Sequence, residues 1–149
     1  MAIKTDETDA RILSLLERDS KMRIHLMAKK LGIPASTVHH RIKCMEREGV
    51  IAGYTIRKDH KKLGYGILAH VLVFVDVTSL KRMKKTQQDI AGELSRIGGA
   101  QRAEIITGEA DLLLTIRCRD MEDYKNVLLG KIQAIEGITE TRTIMVISE

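Results

Sequence analysis

A chain of 149 residues, 30% charged and 44% hydrophobic, can bury one ordinary core or two small ones, and its lack of any long apolar run excludes a transmembrane helix. The opening MAIKTDETDARIL places acids where a signal peptide needs an apolar stretch, so the expected location is the cytoplasm. The net charge of +5 is unevenly divided: 14 Lys and Arg against 8 Asp and Glu over residues 1–63, and 11 against 12 over residues 64–149. All the excess positive charge lies in the first part, as in a nucleic-acid module joined to a near-neutral partner domain. Cys44 and Cys118 stand far apart with no CxxC and no metal-ligand spacing, so reduced thiols, no metal and no cofactor are expected. A zinc pair of His40 and Cys44 would have two ligands at most.

In chain order, residues 5–18 read as a first helix, capped by Thr5 or Asp6, with acids in its first turn and a broad apolar face from Ala10 to Leu16. A second helix follows, in which Ile24, Met27, Ala28 and Leu31 form one buried stripe with Lys29 and Lys30 outside. Gly32 supplies a sharp turn, and Pro34 suits the first turn of a third helix, where its missing N–H costs nothing. That third helix has two faces. Val38, Ile42 and Met45 are spaced to point inward, while Ser36, Thr37, His39, His40, Arg41, Lys43 and Arg47 point outward with no acid before Glu46. Helix, glycine turn and basic helix make a helix-turn-helix, whose outer face fits a DNA major groove. Val50, Ile51, Tyr54, Thr55 and Ile56 suggest a short β-hairpin as a wing, followed by the basic run Arg57, Lys58, His60, Lys61 and Lys62, read as a linker or a phosphate contact.

Gly64 and Gly66 mark the expected boundary, giving domains 1–63 and 64–149. Residues 67–77 read as a strand, with Ala69, Val71, Val73, Val75 and Val77 beneath helices. On its other face Leu72 and Phe74 are too apolar for water and imply a second sheet, most simply from another subunit. One helix is expected over 79–97, with Lys81, Arg82, Lys84 and Lys85 crowding its first turns against the helix dipole. Strands over 100–107 and 111–118 flank the turn Gly108-Glu109-Ala110. Asp120 and Asp123 then open a helix as a capping box, and a last strand covers 138–147. The fold class is α+β: a winged helix-turn-helix followed by βαββαβ, the ferredoxin-like plan, with one sheet face uncovered.

This plan resembles the Lrp/AsnC (feast/famine) family of transcriptional regulators across essentially the whole chain. The residues that carry the likeness are TDETDARILSLLERDS, AKKLGIPASTVHHRIKCMEREGVIAGYTI, TGEADLLLTIRCRD and IEGITETRTIMVI. The resemblance implies a RAM-type C-terminal domain and a homodimer that assembles further, often to an octamer. It also implies an amino-acid effector, and a pseudo-palindromic operator in double-stranded DNA. It places Ser36, Thr37, His39, His40 and Lys43 nearest the bases, with Arg41 and Arg47 at phosphates. The family's effector loop falls on Thr107, Gly108, Glu109, Ala110 and Asp111, where Asp111 would pair with an α-amino group or a cationic side chain; Thr141 and Thr143 are further pocket candidates. Ala110 stands where an aromatic residue is common, which would enlarge the pocket or leave it unable to close on a small ligand. Arg23 replaces the small capping residue before the second helix, leaving Ser20 to serve. The readings set against this are a DNA-compacting architectural protein without effector and an enzyme like the siroheme decarboxylases. The basic first domain argues against the enzyme.

Overall fold

The structure, a computed structural model, describes residues 5–148 and divides into two compact units, one ending at Arg57 and one beginning at Lys58. The boundary therefore falls at Arg57 instead of Leu63. Backbone N–H groups of Leu63, Gly64 and Tyr65 bond to the carbonyls of Asp59, Lys61 and His60, and these turns tie the basic run to the second unit.

In the first unit three helices, α1 (Glu7–Arg18), α2 (Ile24–Leu31) and α3 (Ala35–Arg47), bury Ile12, Met27, Val38, Ile42 and Met45 against one another. Asp6 caps α1, and its carboxylate and that of Asp9 accept each other's backbone N–H. Gly32 closes α2 in the left-handed region at φ 71°, which swings the chain into α3 directly after Pro34. No side chain caps α2, so Ser20 does not take that role; the N–H groups of Leu26 and Met27 turn onto the Arg23 carbonyl.

The hairpin expected over 50–56 is not formed, and residues 50–57 run without a strand. Its apolar residues have another use. Val50 and Ile51 pack on the three-helix core, the Ile51 N–H bonds to the Met45 carbonyl, and the Tyr54 hydroxyl donates to Glu46. A lone two-stranded ribbon is marginal in water, whereas these ties anchor the segment to α3.

The second unit is one antiparallel sheet of β1 (Ile67–Val75), β2 (Ala100–Ile105), β3 (Leu112–Cys118) and β4 (Ile138–Met145), in the order β2-β3-β1-β4. Ala69, Val71, Val73, Leu112, Leu114 and Ile116 are fully buried on one face, where Leu80, Ile90, Leu94, Tyr124 and Ile132 cover them. The strand β1 stops at Val75 because Asp76 caps the next helix, and Val77 is exposed within it.

One helix was expected over 79–97; two are present, α4 (Val77–Arg82) and α5 (Gln87–Ser95). Lys84 sits between them in the left-handed region at φ 57°, and the reciprocal cap of Thr86 and Asp89 starts a fresh helix within the polar run of residues 84–89. The break also accounts for the basic cluster. Lys81 and Arg82 lie in the last turn of α4, where the dipole favours cations, and Lys85 pairs with Glu93 at 2.9 Å. The helix α6 (Met121–Val127) continues as a π-helical turn (Leu128–Ile132). Asp120 accepts the Asp123 N–H, but the Asp123 carboxylate reaches back to the Arg119 N–H, so the expected capping box is only half made.

Between β1 and β4 the register shifts at Phe74 and Val75: Phe74 faces Glu140 and Val75 faces Ile138, so Thr139 is an extra residue. Its hydroxyl donates to the Phe74 carbonyl. On the open face Leu72 and Phe74 are half-buried instead of exposed, because the Arg142 guanidinium lies 4.9 Å from the centre of the Phe74 ring and Leu113 stands opposite Leu72.

Candidate nucleic-acid interface and effector turn

The outer face of α3 presents Ser36, His39, His40, Lys43 and Arg47 to solvent, with Thr37 half-buried beside them. Burial of Val38, Ile42 and Met45 beneath sets which way this face points. Lys43 is 63% exposed and reaches Glu46 at 2.8 Å; the Tyr54 hydroxyl meets the other Glu46 oxygen at 2.9 Å. Lys43, and after it Tyr54, hold the Glu46 carboxyl below its usual range. Partial burial, and then Glu46, push the Tyr54 phenol up. This is a ready supply of one cation whose partner can be exchanged: Lys43 can leave Glu46 for a base edge or phosphate while Tyr54 keeps Glu46 satisfied. His40 Nε2 lies 3.6 Å from the Cys44 thiol, and Arg47 approaches that thiol at 3.5 Å and Glu48 at 3.8 Å.

Arg41 is placed differently from the expectation that it meets phosphates. Its guanidinium donates to Asp6 at 2.6 Å and Asp9 at 2.9 Å, and its side chain is only 30% exposed. It acts inside the unit, fastening α3 to the start of α1. The two acids were legible as a cap, but nothing in the sequence connects them to an arginine more than thirty residues away. Bonds to Asp9 first and Asp6 second hold the guanidinium above its usual value.

In the second unit the β2–β3 turn carries Thr107, Gly108, Glu109, Ala110 and Asp111. Gly108 adopts φ 138°, and a Cβ there would meet only open space, so the backbone conformation and not crowding requires glycine. Ala110 is buried, 6% exposed. Asp111 is half-buried with both oxygens engaged: one accepts the Val75 N–H at 2.9 Å, the other the Gln87 amide at 3.0 Å. Its own N–H bonds to the Val73 carbonyl. The carboxylate therefore braces the turn against β1 and α5 instead of standing free for an amine; Gln87, the partner that matters here, was not singled out by the sequence reading. Thr141 accepts from Gln133 at 2.9 Å, and Thr143 shares a short hydrogen bond with the buried Tyr124 hydroxyl. Both threonines thus stand on the helix-covered side, apart from Leu72 and Phe74 on the open one. Among the described residues no group of three or more His, Cys, Asp or Glu side chains is placed to hold a metal ion, and no helix is long and apolar enough to cross a membrane.

Comparison with known proteins agrees with both halves. Residues 5–52 match the family model for a winged helix-turn-helix DNA-binding domain, and residues 72–149 match that for the Lrp/AsnC ligand binding domain. An uncharacterised HTH-type transcriptional regulator of Pyrococcus horikoshii is 36% identical over 140 residues, 94% of this chain and 91% of its own length. The HTH-type transcriptional regulator LrpA of the same organism is 33% identical over 135 residues, 91% of each chain. Among solved structures, a transcriptional regulator of Neisseria meningitidis in complex with L-methionine shares the fold with a TM-score of 0.88 at 20% identity, covering 98% of this chain and 92% of that one.

Proposed function

The chain belongs to the Lrp/AsnC family of transcriptional regulators, and from that premise we propose how it acts: as a homodimer that sets two copies of α3 into the major groove of a pseudo-palindromic operator. The observation that carries this reading is the outer face of α3, where Ser36, His39, His40, Lys43 and Arg47 are exposed over a buried apolar stripe. Ser36, Thr37, His39, His40 and Lys43 read bases, and Arg47 meets phosphate. Two chains pair through the open sheet face around Leu72 and Phe74, and dimers assemble further, as in an octamer. Half-sites then lie about one helical turn apart.

The effector of this proposal is an amino acid, the class of ligand in the N. meningitidis complex. It contacts the turn from Thr107 to Asp111, with Thr141 and Thr143 nearby. Because the Asp111 carboxylate is already engaged, the contact uses the backbone around Gly108 and the exposed Glu109. The same engagement, with the burial of Ala110, favours as a second reading a DNA-compacting protein whose turn is purely structural.

Gel-shift titration of Lys43→Ala against a genomic operator and a scrambled duplex tests the first reading. A loss of about tenfold or more on the operator alone is expected for a base contact. Equal weakening on both duplexes would reduce Lys43 to a phosphate contact. Thermal shift against the twenty amino acids, with mass measurement in solution, separates the two readings: a shift with one or a few amino acids supports an effector, and none supports compaction.

A further inference from the structure

At the end of the sheet where β1 begins and β3 finishes, a cleft of about 260 Å³ opens between Tyr65, the Gly98-Gly99 turn and the helical segment after β3. Arg119 and Lys131 line it, both exposed, and neither side chain enters any ion pair among the described residues. Arg117 lines the same cleft but has a partner of its own, so nothing here depends on it. The one acid present, Asp123, has an oxygen tied to the Arg119 N–H at 3.0 Å. Gly98 offers bare backbone, with open space where a Cβ would stand. Gly99, at φ 90°, lets β2 start so close to β3 that a Cβ would lie 2.2 Å from the Arg117 carbonyl oxygen. One wall of the cleft is thus closely packed glycine backbone, while Arg119 and Lys131 bring exposed positive charge to it. Beyond Lys131 and Gly98 a shallower groove of about 420 Å³ continues past Arg96, Ile97 and Ile135, with Glu93, paired to Lys85, on its wall.

Cations in a small concave space beside exposed glycine backbone suit a compact dianion. An arginine fork takes two oxygens at once, and a lysine adds a point charge. The cleft is smaller than the usual 300–1,000 Å³ of a pocket that swallows a whole metabolite, but the adjoining groove extends it in one direction. We propose that this cleft binds the phosphoryl group of a phosphate monoester between Arg119 and Lys131, with the organic part lying along the groove towards Arg96. The cleft shares no residue with the effector turn or with α3, so it stands or falls independently of the operator and effector readings.

Calorimetric titration of the full chain with adenosine 5′-monophosphate, inorganic phosphate and adenosine, at matched ionic strength in chloride, tests it. Saturable binding of the monophosphate, tighter than phosphate by at least about threefold, with none of adenosine, is expected. Arg119→Gln and Lys131→Gln should each weaken it about tenfold, the size expected for losing one charge-assisted hydrogen bond. Arg82→Gln, which removes an exposed cation outside the cleft, should change nothing. Both cleft side chains are exposed, so circular dichroism melts of the variants should match the parent; Asp123→Asn, which keeps an acceptor for the Arg119 N–H, should tighten binding.

The proposal is overturned if neither phosphate species saturates, or if Arg82→Gln weakens binding as much as the cleft variants do. Inorganic phosphate binding as tightly as the monophosphate would also overturn the monoester assignment. A parent that ignores both ligands, while the Arg119→Gln, Lys131→Gln double variant loses affinity for a 30-base-pair duplex, would make the cleft a DNA contact instead.

Discussion

The Arg41 guanidinium in α3 donates to the Asp9 carboxylate in the first turn of α1 at 2.9 Å. The same group reaches Asp6, which caps that helix. One arginine thereby joins the helix that would read DNA to α1, whose capping box is complete. Arg41→Ala and Asp9→Ala should each lower the melting temperature, and the double variant should lose clearly less than the two losses added together, as expected for groups that act on one another. Full additivity would show that the pair contributes nothing.

The same contact sets a pH dependence. The Asp9 N–H and, after it, Arg41 hold the Asp6 carboxyl below its ordinary value of 3.8. A carboxyl whose folded value is depressed adds stability that is complete above the unfolded value and disappears as pH falls through the folded one. Stability from this group should therefore be constant from neutrality to about pH 5 and decline below pH 4. In acid melts Asp6→Asn should flatten that decline; a decline of unchanged steepness would assign it to other carboxylates.

Removing the Asp111 side chain should cost stability even when no ligand is present. Asp111→Ala leaves the Val75 N–H without its acceptor, a loss of about 1–3 kcal/mol in urea unfolding of the second unit. Asp111→Asn retains an oxygen for Val75 and should cost less. If both variants unfold like the parent, the carboxylate is not a brace and its role as a ligand contact gains weight.

Two glycines with positive φ should behave differently. Gly108→Ala meets open space and should cost about 1–2 kcal/mol from backbone strain alone. Gly99→Ala adds collision with the Arg117 backbone carbonyl and should cost more than about 3 kcal/mol or prevent folding. Equal costs would show that β2 can move away from β3.

Lys84→Gly should stabilise the second unit by up to about 1 kcal/mol, since a lysine in the left-handed region is strained and glycine is not. A destabilised variant would show that the Lys84 side chain makes a contact worth more than the strain.

Much of this was legible because it depends on near neighbours in the chain. The cap at Asp6, the turn at Gly32, Pro34 before α3 and the alternation along β1 are all decided within a few residues. What the sequence hid depends on distant partners or on competition. Met83, Ile90 and Leu94 stay in phase with one helix, so the break shows only in the polar run of residues 84–89 and the cap at Thr86. Val50 and Ile51 read as strand residues until the helical core that takes them is present. At the candidate sites the exposed face of α3 followed from helical period, whereas the true partners of Arg41 and Asp111 come from other elements.

Thr139 has a wider effect than its single hydroxyl contact. Along β4, Glu140, Arg142 and Ile144 share the open face, and by strict alternation Ile138 would join them. The extra residue instead sets Ile138 opposite Val75, packed against the buried core, and the Asp76 N–H then meets the Gly137 carbonyl. Straightening the bulge with Thr139 still in the strand would turn Ile138 outward and pull the Gly137 turn off Leu80, whereas deleting Thr139 would give regular pairing and leave Ile138 opposite Val75. The bulge at this one position keeps the last strand's inside and outside in phase.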